Sequence, residues 1–259
     1  MPRKKVLVDE FTWPELFERI KDSDVAYFPV GTQEGHGPNL PMGTDMVVAA
    51  GAGALAAEKT GGMVLHPLAY NFCGATSGYR GTVSIPMELQ MQVVKAVIRN
   101  LWEQNFHVIF VLSIHAPNIT PITMAMRDLF EYERIVAHYF NPLKFAEEKH
   151  PDIDDVATEA AMCYAAMEVL GMEDLIPSRA DMAETGDPPP IELPGHQSWT
   201  QALNYQHLLQ HQPGRKVDVE TGREWMREAA GELAGRADDL RTYAKFIEEG
   251  GNAPYRVEP

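Results

Sequence analysis

Residues 88–113 constrain the fold of this chain more than any other stretch. Glu88 to Asn105 carries Leu89, Val93, Val97 and Leu101 at every fourth position, with Val94 and Ile98 beside them. That spacing predicts an amphipathic helix. His107-Val-Ile-Phe-Val-Leu-Ser113 follows as an unbroken apolar run. A strand with one wet face alternates polar and apolar residues, whereas a continuous run suits a strand buried on both faces of a parallel sheet.

The rest of the chain repeats this alternation. Trp13 to Lys21 reads as a helix with Pro14 in its first turn, and Val25 to Val30 as a strand. Asp45 to Lys59 reads as a small-residue helix ended by Gly61-Gly62, and Met63 to Leu68 as a second strand. Thr120-Pro121 opens a helix to about Glu133, and Arg134 to Phe140 is the next strand. Asp155 to Leu170 is helical up to Gly171, and Glu220 to Glu249 is a long helix whose Trp225, Ala229, Leu233 and Leu240 can cover the core. Residues 181–198, with Gly186-Asp-Pro-Pro-Pro190 and Leu193-Pro-Gly-His196, read as a long loop near the active site or a subunit contact. The expected fold is α/β: a mostly parallel sheet covered by helices on both faces, three layers α/β/α, as a single domain over residues 1–259.

Composition narrows the function classes. A formal net charge of -15 argues against binding nucleic acid or an anionic membrane through general electrostatics. Cys73 and Cys163 form no Cys-x-x-Cys pattern, so no thiolate zinc site is expected; two buried free thiols in a reducing cytosol are. Val6-Leu-Val8 gives way at once to Asp9-Glu10, which is no signal core, and no apolar run approaches the roughly 20 residues of a membrane span. Cytoplasmic location is the expectation.

The chemistry concentrates after the first strand. Glu34-Gly-His36, with Asp45 nine residues beyond His36, puts one imidazole and two carboxylates into a loop rich in Gly and Pro. Divalent Zn, Mn and Fe take such nitrogen and oxygen mixtures. Asp45 as a helix cap and Glu34 as a solvated acid are the competing readings. The apolar strand at 107–113 runs into Ile114-His115-Ala-Pro-Asn118. Ligands of open parallel sheets sit beyond the carboxyl ends of the strands, so His115 can join the first loop; a core imidazole satisfied by backbone is the alternative.

Pro29-Val-Gly31, Glu34-x-His36-Gly-Pro38, Leu40-Pro41 and Gly43-Thr-Asp45 resemble the signature of the creatininase (creatinine amidohydrolase) family. Ser113-Ile-His115-Ala-Pro-Asn118 is similar to that family's Asn-Gly-His-Gly-Gly-Asn segment, and Gly81-Thr-Val-Ser84 to its Pro-Gly-Thr-Ile-Ser element. The resemblance spans roughly residues 25–130 and thins towards the C-terminus. It implies a metal-dependent α/β hydrolase of small amides or cyclic carbonyl compounds, often hexameric, with paired divalent ions (Zn, Mn or Fe) at the strand ends. It further implies Glu34, His36, Asp45 and His115 as metal ligands, with Asp45 between the two ions. A further family carboxylate, from a Glu-Thr-Ser segment at a later helix start, matches Glu159, which by itself is also an ordinary first-turn helix acid.

The chain departs from the family pattern in three places. The His-Ala-Gly-Glu run is here Asp154-Asp-Val-Ala157, the creatininase Glu two residues after the strand-end His is Pro117, and the preceding Asn-Gly is Ser113-Ile114. Asp154 is therefore the candidate general acid or base, with His196 as its rival, and Thr76, Ser77 and Asn118 are candidate substrate contacts or turn residues. Two further readings stay open: opening of a cyclic keto-polyol such as a dehydro-inosose, and a non-catalytic binder of a small ligand.

Overall fold

The computed structural model describes residues 4–37, 39–153, 155–176 and 215–251. Its sheet has four strands, β1 (Val25–Pro29), β2 (Met63–Val64), β3 (Val108–Leu112) and β4 (His138–Phe140), in the order β2-β1-β3-β4. Every pairing is parallel, with Val25 opposite Val108 and Phe110 opposite His138. β1 and β3 are buried at every position, as the unbroken apolar run requires.

Alternate residues of the central strands feed two cores. Ala26, Phe28, Ile109 and Val111 pack against Val94, Ile98 and Leu101 of α3 (Met87–Glu103) and Ile122, Ala125 and Leu129 of α4 (Ile119–Glu133). Val25, Tyr27, Phe110 and Leu112 pack against the alanines of α2 (Thr44–Thr60) and against Ala230, Leu233 and Ala237 of α7 (Val219–Glu248). α6 (Thr158–Val169) lies outside α2 and against α7, and is buried all round from Thr158 to Met167. Gly222 of α7 faces the Ala161 carbonyl of α6 so closely that a Cβ has no room. Both faces of the sheet are helix-covered, as expected from the alternation of elements.

Several boundaries differ from the sequence reading. β2 ends at Val64, and its continuation is reduced to a single bridge between Val30 and Leu68, because Pro67 cannot donate to a ladder. β4 begins at His138 rather than Arg134, whose φ of 61° closes α4 in a left-handed cap. α6 begins at Thr158 because Val156 is drawn into a bridge with Lys216. α5 (Pro142–Lys149) was not anticipated, although Asn141 caps it through Lys144 N and Pro142 fills its first position. The loop at 181–198, with His196, and Asp154 lie outside the described residues.

Candidate metal centre

The centre forms where β1 and β3 stop. Val30 N–H still bonds Leu112 O at 2.8 Å and Gly31 N–H bonds Leu68 O at 3.1 Å before the chain turns away. A Cβ on Gly31 would stand 2.5 Å from Met46 N, so only glycine lets this turn pass the start of α2. Glu34 N–H then bonds Met42 O at 3.0 Å, folding the loop so that Glu34 and His36 face the first turn of α2. Asp45 is the second residue of that helix, and the cap position belongs to Gly43. Its carboxylate makes no capping bond and turns inward instead.

Five buried side chains converge there. His115 Nδ1 lies 2.7 Å from Glu34 Oε1 and 3.3 Å from Asp45 Oδ2. His36 Nε2 lies 3.4 Å from Asp45 Oδ1, 3.7 Å from Glu159 Oε1 and 3.9 Å from Glu34 Oε1. Glu159, in the first turn of α6, reaches the centre beside His36. The donor atoms fall into two overlapping groups, Glu34/Asp45/His115 and His36/Asp45/Glu159, each within 4.8 Å of one another. Asp45 contributes to both.

His115, His36 and Glu34 are each anchored from behind. His115 Nε2 sits 3.0 Å from Phe72 O, and His36 Nδ1 sits 3.1 Å from Glu34 O. A carbonyl only accepts, so both bonds require N–H on those nitrogens and leave the opposite nitrogens facing the carboxylates. The Thr76 hydroxyl donates to Glu34 Oε2. Thr76 is buried against that carboxylate, Ser77 is exposed, and Asn118 is buried with its amide spread over Val30 O, Gly31 O and Ser113 Oγ. Sequence reasoning passed over Gln90, Phe72 and Tyr164; the Tyr164 hydroxyl donates to Asn39 O and fastens the ligand loop to α6.

The electrostatics fit cations. Burial disfavours the charged imidazoles, yet Asp45, Glu159 and Glu34 outweigh it and lift His36 to about 9. His115 rises to about 10, because Asp45 and Glu34 likewise outweigh burial. Asp45 resists its own burial penalty and is held below the usual carboxylate range by the two imidazoles. Its Oδ2, although 3.3 Å from His115, accepts no hydrogen bond of proper geometry. A fully buried carboxylate oxygen left this way, amid nitrogen and oxygen donors, suits a divalent ion. Cys73 and Cys163 flank the centre as neutral thiols, both pushed up by burial to about 12.

The sequence model of the family described as creatininase, creatinine amidohydrolase, matches residues 9–235. The chain belongs to the creatininase family. It is 31% identical over 121 residues to the 3-dehydro-scyllo-inosose hydrolase of Thermotoga maritima, covering 46% of this chain and 39% of that one. It is 28% identical over 136 residues to the creatinine amidohydrolase of Pseudomonas putida, covering 49% and 52%. The chain thus spans about half the length, or less, of these curated relatives. A solved creatininase superimposes with a TM-score of 0.67 at 18% identity, over 93% of this chain and 98% of that one. Other solved creatininases on the same fold are described as a manganese form and as a Zn-Zn type. The three-layer fold read from the sequence is therefore that of the creatininases.

Proposed function

We propose that this creatininase-family chain is a metal-dependent hydrolase of a small amide or cyclic carbonyl substrate, built as one domain over residues 1–259. The observation that carries the reading is Asp45, shared between two donor groups at the carboxyl ends of β1 and β3. Glu34, Asp45 and His115 would hold one divalent ion, and His36, Asp45 and Glu159 a second. Zn, Mn and Fe all suit this donor set. Bound there, such ions would supply Lewis acidity towards a carbonyl and bring the pKa of water towards neutral. The protein's own part is to fix the donors: Thr76 pins one oxygen of Glu34, Phe72 O holds the His115 ring, and the α2 backbone sets Asp45 between the two groups.

Zn, Mn or Fe should be found in protein purified without chelator, at one divalent ion per chain or more. Elemental analysis is the check, and His36→Ala combined with His115→Ala should abolish the binding. Equal metal content in wild type and the double variant would sink the proposal.

The substrate class follows from where this chain departs from the family pattern. Cleaving an amide needs a proton for the leaving nitrogen, and a positioned donor contributes about 10² to 10⁴ in rate. Asp154 stands in the sequence where the family has that His and is the candidate donor, a carboxyl in place of an imidazole; exposed Ser77, next to Thr76, is a candidate substrate contact. Creatinine should accordingly turn over slowly or not at all, while another small carbonyl compound is hydrolysed with full sensitivity to chelator. A cyclic keto-polyol is the second reading, supported by the dehydro-inosose hydrolase relative. Ring opening at a C–C bond needs no protonated nitrogen, so loss of the family His matters less there. Steady-state assays on creatinine, formamides and cyclic keto-polyols, with and without chelator, separate these readings. Brisk creatinine hydrolysis overturns the substrate assignment, and chelator-insensitive turnover overturns the mechanism. Metal-free protein without activity favours the third reading, a small-ligand binder.

The family resemblance further supports a homo-oligomer, a hexamer, which light scattering would test. Unpaired Cys73 and Cys163 suit the cytoplasm, and no described helix is long and apolar enough to cross a membrane.

A further inference from the structure

We infer that Gln90, a fully buried residue in the first turn of α3, is a positioning residue that sets His115 in register for metal. The inference rests on reading the centre as a divalent-metal site, and it names the residue on which the His115 half depends. Gln90 uses both ends of its amide. Its Oε1 accepts from Phe72 N–H at 2.9 Å, and its Nε2 donates to Asn118 Oδ1 at 2.7 Å.

These two partners lead to the two strand ends. Phe72 presents the carbonyl that binds His115 Nε2 and so turns Nδ1 towards Glu34 and Asp45. Asn118 spreads its Nδ2 over Val30 O, Gly31 O and Ser113 Oγ, at 3.2 to 3.3 Å, tying the end of β1 to the end of β3. One amide therefore joins the anchor of His115 to the clamp between the ligand-bearing loops.

The dependence is sharp because Phe72 lies in no ladder. Between β2 and α3 the described residues form no strand, only the isolated bridges Val30–Leu68 and Asn71–Ser84. Asn71 O accepts from Ile85 N–H and Cys73 N–H donates to Ser84 Oγ, but Phe72 N–H goes to Gln90. Gln90 fixes the peptide plane before Phe72 and Ser84 the plane that carries the Phe72 carbonyl, so without the Gln90 bond that carbonyl loses one of its two holds and the His115 ring is less firmly set. Such outer partners of metal-binding histidines typically govern affinity by about 10 to 100-fold.

The test measures Zn(II) and Mn(II) binding by competition with a chromophoric chelator, on wild type and on Gln90→Met. Methionine keeps the volume and removes both hydrogen bonds. The folded variant should bind metal about 10 to 100-fold more weakly. A purely structural residue would lower the thermal midpoint with and without metal and leave the affinity of the folded protein unchanged; that result overturns the inference. Coupling is reciprocal, so metal must in turn stabilise the Gln90 bond. Saturating wild type with metal should slow hydrogen exchange of the Phe72 amide by about the same factor. Unchanged Phe72 protection overturns the inference even where Gln90→Met does not fold. Wild type that binds neither ion removes the metal reading and this inference with it, whereas tight wild-type binding matched by Gln90→Met removes the Gln90 role alone.

Discussion

Asp45→Asn should strip the protein of both ions, whereas Glu159→Gln should empty only one position. Asp45 lies 3.4 Å from His36 and 3.3 Å from His115 and belongs to both donor groups, whereas Glu34, 2.7 Å from His115 but 3.9 Å from His36, belongs to one. Glu159 belongs to one group, with His36. Replacing a buried carboxylate by its amide leaves the opposite charges uncompensated, at about 3–5 kcal/mol. At about 1.4 kcal/mol per decade that is about two to three and a half decades of affinity. The measurement is metal occupancy of the two variants after dialysis against the same free-ion concentration. Greater loss in Glu159→Gln would show that Asp45 is not the shared ligand.

Metal-free protein should lose stability as the pH rises, and divalent ion should reverse the trend. Against the opposing effect of burial, Asp45, Glu159 and Glu34 lift His36 to about 9, and Asp45 and Glu34 lift His115 to about 10. A raised folded-state pKa means that the folded chain holds protons the unfolded chain releases. The stabilisation is fully present below about pH 6.5, the ordinary histidine value, and is lost as the pH rises through about 9 and 10. Asp45 has the opposite sign: its lowered pKa stabilises above the usual Asp range and fails in acid. Across the alkaline window the two imidazolium charges amount to a few kcal/mol, a drop of roughly 10 °C in thermal midpoint for a chain of this size. Thermal scans of chelator-treated protein from pH 6 to 10 should show this fall. Adding Zn(II) or Mn(II) at pH 9 should abolish it, because the cation replaces the protons between the carboxylates. A metal-free midpoint that is flat or rising above pH 7 would contradict the charge arrangement.

Neighbourhood along the chain made part of this centre legible. Glu34, His36 and Asp45 fall within twelve residues of a Gly- and Pro-rich loop, and Asp45 opens a helix. His115 was readable for a different reason: an unbroken apolar strand in a parallel sheet must deliver its next residues to the ligand-binding edge. Glu159 was readable only through family resemblance, since an acid in the first turn of a helix is common without any ligand. α5 went unread despite the Asn141-Pro142 signature, being short and without a clear apolar face.

The sequence alone determined the alternation of strands and helices, the burial of β1 and β3, and the chemical types gathered at the strand ends. Each is a property of periodicity or of residues near one another in the chain. Tertiary structure decided which atom of each ligand faces the centre. The bond from His115 Nε2 to Phe72 O crosses 43 residues, that from Thr76 to Glu34 crosses 42, and that from Gln90 to Asn118 crosses 28. Spacing and propensity carry no information about such partners, because they meet only after α3 has packed on the sheet and the loop at Phe72 has closed over it. A metal centre needs donor types, which the chain encodes locally, and donor directions, which only the packed and hydrogen-bonded framework can impose.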